Sequence, residues 1–157
     1  MDAINEQQVN EQKVQVYLER VNDFFNQIKN WFKDELEVTT YPVQVDEILG
    51  IYEAPAIDIR EKGQTELLAN ITPKGATVIL AEGLLEIKGW LDTDHLNYMV
   101  DGGFQVTDAY SGKKRPTFKG VNQDGWYWID DPRTHKVHFV DKTRLLELIT
   151  LVSDHEF

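Results

Sequence analysis

The stretch VQVYLERVNDFFNQIKNWF, residues 14–32, decides how the rest of the chain is read. Val14, Leu18, Val21, Phe25, Ile28 and Phe32 recur at spacings of four and three, the signature of one helical face. Tyr17, Phe24 and Trp31 follow at intervals of seven, and at about 100° per residue this second row lies beside the first. Together they make an apolar sector of roughly 140°, wider than the seam of a two-stranded coiled coil, so the helix is expected to lie on a sheet. Asn5 and Gln8 stand at capping-box spacing. The pattern predicts a helix over about residues 6–35 that starts behind Asn5, ends near Leu36 and buries Val14, Leu18, Val21, Phe25, Ile28, Phe32 and Trp31.

Beyond it the period changes from 3.6 to 2. EVTTYPVQV at 37–45 is rich in β-branched and aromatic residues, and Pro42 makes it an edge or broken strand. APAIDIRE at 54–61 alternates Ile57 and Ile59 with Asp58 and Arg60, and the Lys62-Gly63 turn joins it to TELLANI at 65–71 as a hairpin. TPKG at 72–75 reads as a turn, with ATVILA (76–81) and LLEIKG (84–89) as strands on either side of Glu82-Gly83. HLNYMV at 95–100 alternates as a strand would, although Thr93 is also placed to cap a short helix. GGFQV at 102–106 is expected to resume the sheet, and SGKKRPTFKG at 111–120 to be an exposed loop. GWYWI (125–129) and KVHFV (136–140) are joined by DDPRTH, and a last helix runs from its cap Asp141 to about Val152. The expected architecture is α+β: a long N-terminal helix packed on a curved, mainly antiparallel sheet of seven or eight strands, with a C-terminal helix, all in one globular domain over 1–157.

Composition narrows the function. The chain has no cysteine, so disulfides, thiolate catalysis and cysteine-ligated metals are excluded. No apolar run approaches the ~18 residues of a membrane span. MDAINEQQVNEQK has acidic and amide residues where an export signal needs a basic start and an apolar stretch, so a cytoplasmic protein is expected. Sixteen Lys and Arg against 27 Asp and Glu give a net charge of −11, which repels phosphate backbones and favours basic partners over nucleic acid.

Local motifs carry little chemistry. Asp130, Asp131, His135 and His138 are metal-ligand types, but on a strand residues 135 and 138 point to opposite faces, and the two aspartates read as turn caps. Lys113, Lys114 and Arg115 form a concentrated basic patch, but Thr107 stands where a P-loop needs its first Gly and Lys114 where it needs a hydroxyl. Ser111 and Ser153 lie in no nucleophile-elbow motif. His95 has Asp92 and Asp94 beside it along the chain, which does not place them together in space. No cofactor is implied.

Trp126 and Trp128 share one strand face and Tyr127 and Ile129 the other, so both faces bury something. In size, acidity, absence of cysteine and lack of catalytic motifs the chain resembles bacterial immunity proteins and other small inhibitory or chaperone-like partners, a likeness of composition alone. It implies a non-enzymatic module that binds a basic protein through an acidic, aromatic surface, with Trp126, Trp128, Asp130 and Asp131 as the candidate contacts. The alternative is a ligand-binding protein or enzyme whose pocket lies between helix and sheet, lined by residues such as Trp90, Tyr98 and Trp126. The C-terminal helix is apolar over more than half its circumference, the excess being core or a contact with a second copy.

Overall fold

The computed structural model describes residues 3–78, 81–131 and 133–157. In chain order the elements are α1 (Ala3–Phe32), β1 (Leu36–Glu47), β2 (Gly50–Glu61), β3 (Leu67–Gly75), β4 (Leu84–Lys88), β5 (Thr93–Met99), β6 (Gln105–Thr107), β7 (Lys114–Pro116), β8 (Gly125–Asp131), β9 (Lys136–Phe139) and α2 (Lys142–Ser153). Seven strands form one antiparallel sheet in the order β1-β2-β3-β4-β5-β8-β9, and β6 and β7 pair as a separate ribbon. The expected α+β architecture is therefore the observed one.

Both helices bury their apolar faces against one side of the sheet. Val21, Phe25, Ile28 and Phe32 of α1 and Leu145, Leu148, Ile149 and Val152 of α2 share a core with Ile57, Ile59, Ile71, Leu85, Ile87 and Leu96 from the strands. Each such side chain contributes about 1.5–3 kcal/mol by leaving water. The face that α1 buries lies within the predicted sector but is narrower than it. Tyr17 and Phe24 are buried, whereas Val14, Leu18 and Trp31 are only half-buried.

The ends of α1 also differ from the prediction. It begins at Ala3, so Asn5 lies within its first turn and is not its cap. It stops at Phe32, where Phe32 accepts the Glu35 N–H at 3.0 Å, because Leu36 is already the first strand residue, buried and paired opposite Glu61.

β1 is an edge strand, as Pro42 requires. Pro42 stands opposite Pro55, a rung where neither residue has an N–H to donate. β3 continues through Thr72-Pro73-Lys74-Gly75, so this segment is a strand and not the expected turn; a register shift at Pro73/Gly75 absorbs the proline. Of the predicted strand 76–81, residues 79 and 80 lie outside the described residues. Val78 and Ala81 form a single isolated bridge, and the next strand starts only at Leu84. His95 to Met99 lie on β5, which settles the strand-or-helix ambiguity there.

The segment 102–106 does not resume the sheet. Gly102 and Gly103 take positive φ values of 87° and 68°, turning the chain into the β6–β7 ribbon, and β8 pairs with β5 in its place. Phe118 and Val121, on the return path, cover Met99, Tyr127 and Val137 on the sheet face opposite the helices.

Tyr17 ties α1 to the sheet, and Glu47 at the end of β1 holds the segment that follows β3. The Tyr17 hydroxyl donates to Leu84 O at 2.6 Å and accepts from Gly75 N at 3.3 Å. The Glu47 carboxylate accepts from Ala76 N (2.7 Å), Thr77 N (3.1 Å) and the Tyr52 hydroxyl. Burial, reinforced for Tyr52 by the Glu47 carboxylate, pushes both phenols well above the ordinary tyrosine range.

Candidate functional site

The end of α2 is finished by the turn between β4 and β5. Asp141 starts the helix by accepting from Arg144 N at 2.8 Å, and Asp154 closes it in the left-handed conformation (φ 60°), its N–H donating to Thr150 O. The last carbonyls are taken up from outside. Leu91 N and Asp92 N donate to Val152 O at 2.9 and 3.1 Å, and the Trp90 indole N–H donates to Ser153 O. Only glycine fits at 89, since a Cβ there would lie 2.2 Å from Val152 O. Trp90 is thus anchored by its N–H while its residue remains 70% exposed.

Beside this turn runs an open groove of about 230 Å³ lined by Glu61, Glu66, Leu67, Trp90, Asp154 and His155 together with Gln64, Leu68 and Ser153. It contains three carboxylates and no Lys or Arg. His155 Nε2 lies 2.8 Å from Glu61, and the Phe157 ring meets His155 edge-on at 4.7 Å. Leu91 and Leu151 are exposed nearby in sequence to this pole, so the apolar excess of α2 divides: Leu146 is half-buried against the core and Leu151 faces out. An exposed indole bordered by carboxylates is chemically suited to a lysine or arginine side chain, through the ring face and through charge-assisted hydrogen bonds.

The four residues singled out in sequence stand elsewhere. Trp126 and Trp128 are only 4% and 7% exposed, so this pair does not offer the surface rings expected of it, while Trp31 is half-buried against the core. The reason is topological: β8 is an interior strand, paired on both sides and covered by the helices on one face and by Phe118 and Val121 on the other. Trp126 packs against Tyr17, Phe24 and Tyr98, and the Trp128 indole N–H donates to Asp94 at 2.9 Å. The predicted sharing of faces holds, with Trp126 and Trp128 in the helix-side core and Tyr127 and Ile129 on the other side. Asp131 does cap its turn, accepting from Arg133 N at 3.0 Å; hydrogen bonds from the Arg133 side chain and then its backbone hold its carboxyl below the usual range. Asp130 instead faces His138 at 3.7 Å. His135 is not on the strand but in the turn, at φ 56°.

The pocket expected between helix and sheet is filled where it was placed. Tyr98 and Trp126 meet edge-to-face at 5.3 Å, and Trp90 is at the α2 pole. A cleft does exist on the opposite sheet face, about 540 Å³, with His95, Asn97, Thr117, Phe118 and His135 among its lining. The acid facing His95 is Glu86 on the neighbouring strand, 3.6 Å away and shared with Lys74, and not Asp92 or Asp94. Among the described residues no three His, Asp or Glu side chains converge as a metal site.

No protein-family model matches the chain, no curated protein matches it, and no solved structure matches it. The site therefore rests on geometry. The signal for it in sequence was Gly89-Trp90-Leu91-Asp92, an aromatic and an aliphatic residue in a turn between two strands, where the backbone has no sheet interior in which to hide them.

Proposed function

We propose that the protein is a non-enzymatic binding module, immunity-like, inhibitory or chaperone-like, that captures a basic segment of another protein in the groove beside Trp90. The observation that carries this reading is the anchored but exposed indole bordered by Glu61, Glu66 and Asp154 with no Lys or Arg in the groove. An anchored ring loses little side-chain freedom on binding, and rigid aromatic anchors are typical interface hot spots. The net charge of −11 adds long-range attraction for a basic partner and none for nucleic acid. The reading moves the contact surface from the β8–β9 hairpin to the end of α2. We place the module in the cytoplasm on the sequence expectation; among the described residues no helix is long and apolar enough to cross a membrane.

The test is a titration of ¹⁵N-labelled protein with a Lys/Arg-rich peptide. Amide and indole signals of Glu61, Glu66, Trp90, Asp154 and His155 should move together and those of Asp130 and Asp131 should stay. Shifts centred on the hairpin, or on the His95 cleft, would refute the assignment.

A further inference from the structure

The acidic chain also carries a surface of opposite character. Six of the sixteen Lys and Arg residues lie between 113 and 136, against three of the 27 Asp and Glu, so this stretch is locally basic. Its exposed part is the β6–β7 ribbon. Val106 pairs opposite Arg115, which puts these two on one ribbon face, and Thr107 pairs opposite Lys114 on the other; Phe104 and Lys113 flank the strands, with Phe104 O accepting from Thr117 N and Lys113 O from Asp108 N. Phe104, Val106 and the tip residue Tyr110 are all exposed. Lys113, Lys114 and Arg115 form no ion pair among the described residues, and the tip is held in shape by Asp108, which accepts from Tyr110 N and Ser111 N. A firmly turned ribbon therefore presents apolar side chains beside unpaired cations.

The groove at the α2 pole offers the converse, apolar Trp90 and Leu67 beside carboxylates, of which Glu66 and Asp154 are also without an ion pair among the described residues. We propose that the β6–β7 ribbon is a second interaction surface whose partner is the acidic groove of another copy of this chain. The inference rests on the reading of that groove as a receptor for cationic segments, and it names one such segment. Because the two surfaces differ, the contact is heterologous: each copy keeps a free ribbon at one side and a free groove at the other, and association is not limited to dimers. The net charge of each copy opposes the approach, but at about 0.15 M salt charges more than about 8 Å apart are largely screened, while pairs in contact are screened less.

Sedimentation equilibrium over about 10–500 µM protein, a range that brackets weak specific contacts, tests it. The wild-type chain should rise from its 18.2 kDa monomer mass beyond twice that value as concentration increases. The ribbon variant Lys113→Glu/Lys114→Glu/Arg115→Glu and the groove variant Glu61→Lys/Glu66→Lys should each stay monomeric. An equimolar mixture of the two sets reversed charges against each other at one contact and leaves one intact ribbon facing one intact groove at the other. A mixture of Phe104→Ser/Arg115→Ser with Trp90→Ala, which carry no reversed charge, should give dimers and nothing larger. A wild-type chain that stays monomeric, a ribbon variant that associates like wild type, or mixtures that stay monomeric overturn the proposal. The Lys/Arg peptide titration on wild-type protein separates the two readings. Peptide binding without self-association removes this inference and leaves the groove reading standing, and absence of both removes both. Circular dichroism spectra matching wild type establish that each variant is folded; if a charge-reversal variant is not, the serine and alanine variants carry the test alone.

Discussion

β8 and the β4–β5 turn each present tryptophan with its indole N–H satisfied, yet they do opposite things with the ring. In β8 the backbone is paired on both sides and covered on both faces, so Trp126 and Trp128 fill the core and their N–H groups reach Arg20 O and Asp94. In the turn, the backbone and the Trp90 N–H are spent on capping α2, which leaves the ring outside. The difference teaches that an aromatic-rich strand says little about a binding surface until its place in the sheet is known. A single aromatic in a capping turn says more.

Substitutions in the two regions should separate stability from binding. Trp126→Ala is expected to destabilise by about 3–5 kcal/mol, as is Phe25→Ala, because both empty an enclosed core site. Urea unfolding midpoints check this, and a shift near zero would mean that the ring is not part of the core.

Gly89→Ala is the next largest, about 1–3 kcal/mol, since the added methyl meets the Val152 carbonyl at 2.2 Å and must push the turn off α2. This change also displaces Trp90, so it should lower stability and peptide binding together. Loss of one without the other would break the link drawn between helix capping and the groove.

Glu47→Gln is expected to cost about 1–3 kcal/mol. Oε1 accepts from Thr77 N and Oε2 from Ala76 N, so either orientation of the amide sets an NH₂ against a backbone N–H. Thermal or urea unfolding compared with the wild-type chain measures it.

The same network makes a prediction at alkaline pH. Tyr17 and Tyr52 titrate well above their unfolded value of 10.0, so above pH 10 the unfolded chain gives up protons that the folded one keeps. The unfolded state then binds fewer protons, and stability falls as pH rises above about 10, with no contribution from these groups below it. Ultraviolet titration of the phenols should show Tyr17 and Tyr52 among the tyrosines silent until the chain unfolds. Their ionisation with the exposed Tyr110 in the folded state would contradict the burial described.

Much of the fold was legible because period and punctuation are local. The 4-3 spacing of α1, the alternation of Ile57 and Ile59, Pro42 at an edge and the cap at Asp141 each follow from neighbours along the chain. The site was less legible because it is assembled from distant parts. Nothing in Trp90 itself reveals that the end of α2, 63 residues later, accepts its N–H. For the same reason the acid facing His95 was missed: it comes from the next strand and not from the adjoining sequence. Pro73 misled in a different way, since a proline that ordinarily marks a turn is accommodated in β3 by a shift of register.

The most direct test of the central claim is the affinity of a fluorescent Lys/Arg peptide for wild type and Trp90→Ala, measured by anisotropy at low and high salt alongside each protein's urea midpoint. Binding should weaken with salt, and Trp90→Ala should lose about 30-fold or more in affinity, equivalent to about 2 kcal/mol, while its urea midpoint falls only by the loss of the one hydrogen bond to Ser153 O, about 0.5–1.5 kcal/mol. Equal affinity for the two proteins, or binding indifferent to salt, would contradict it.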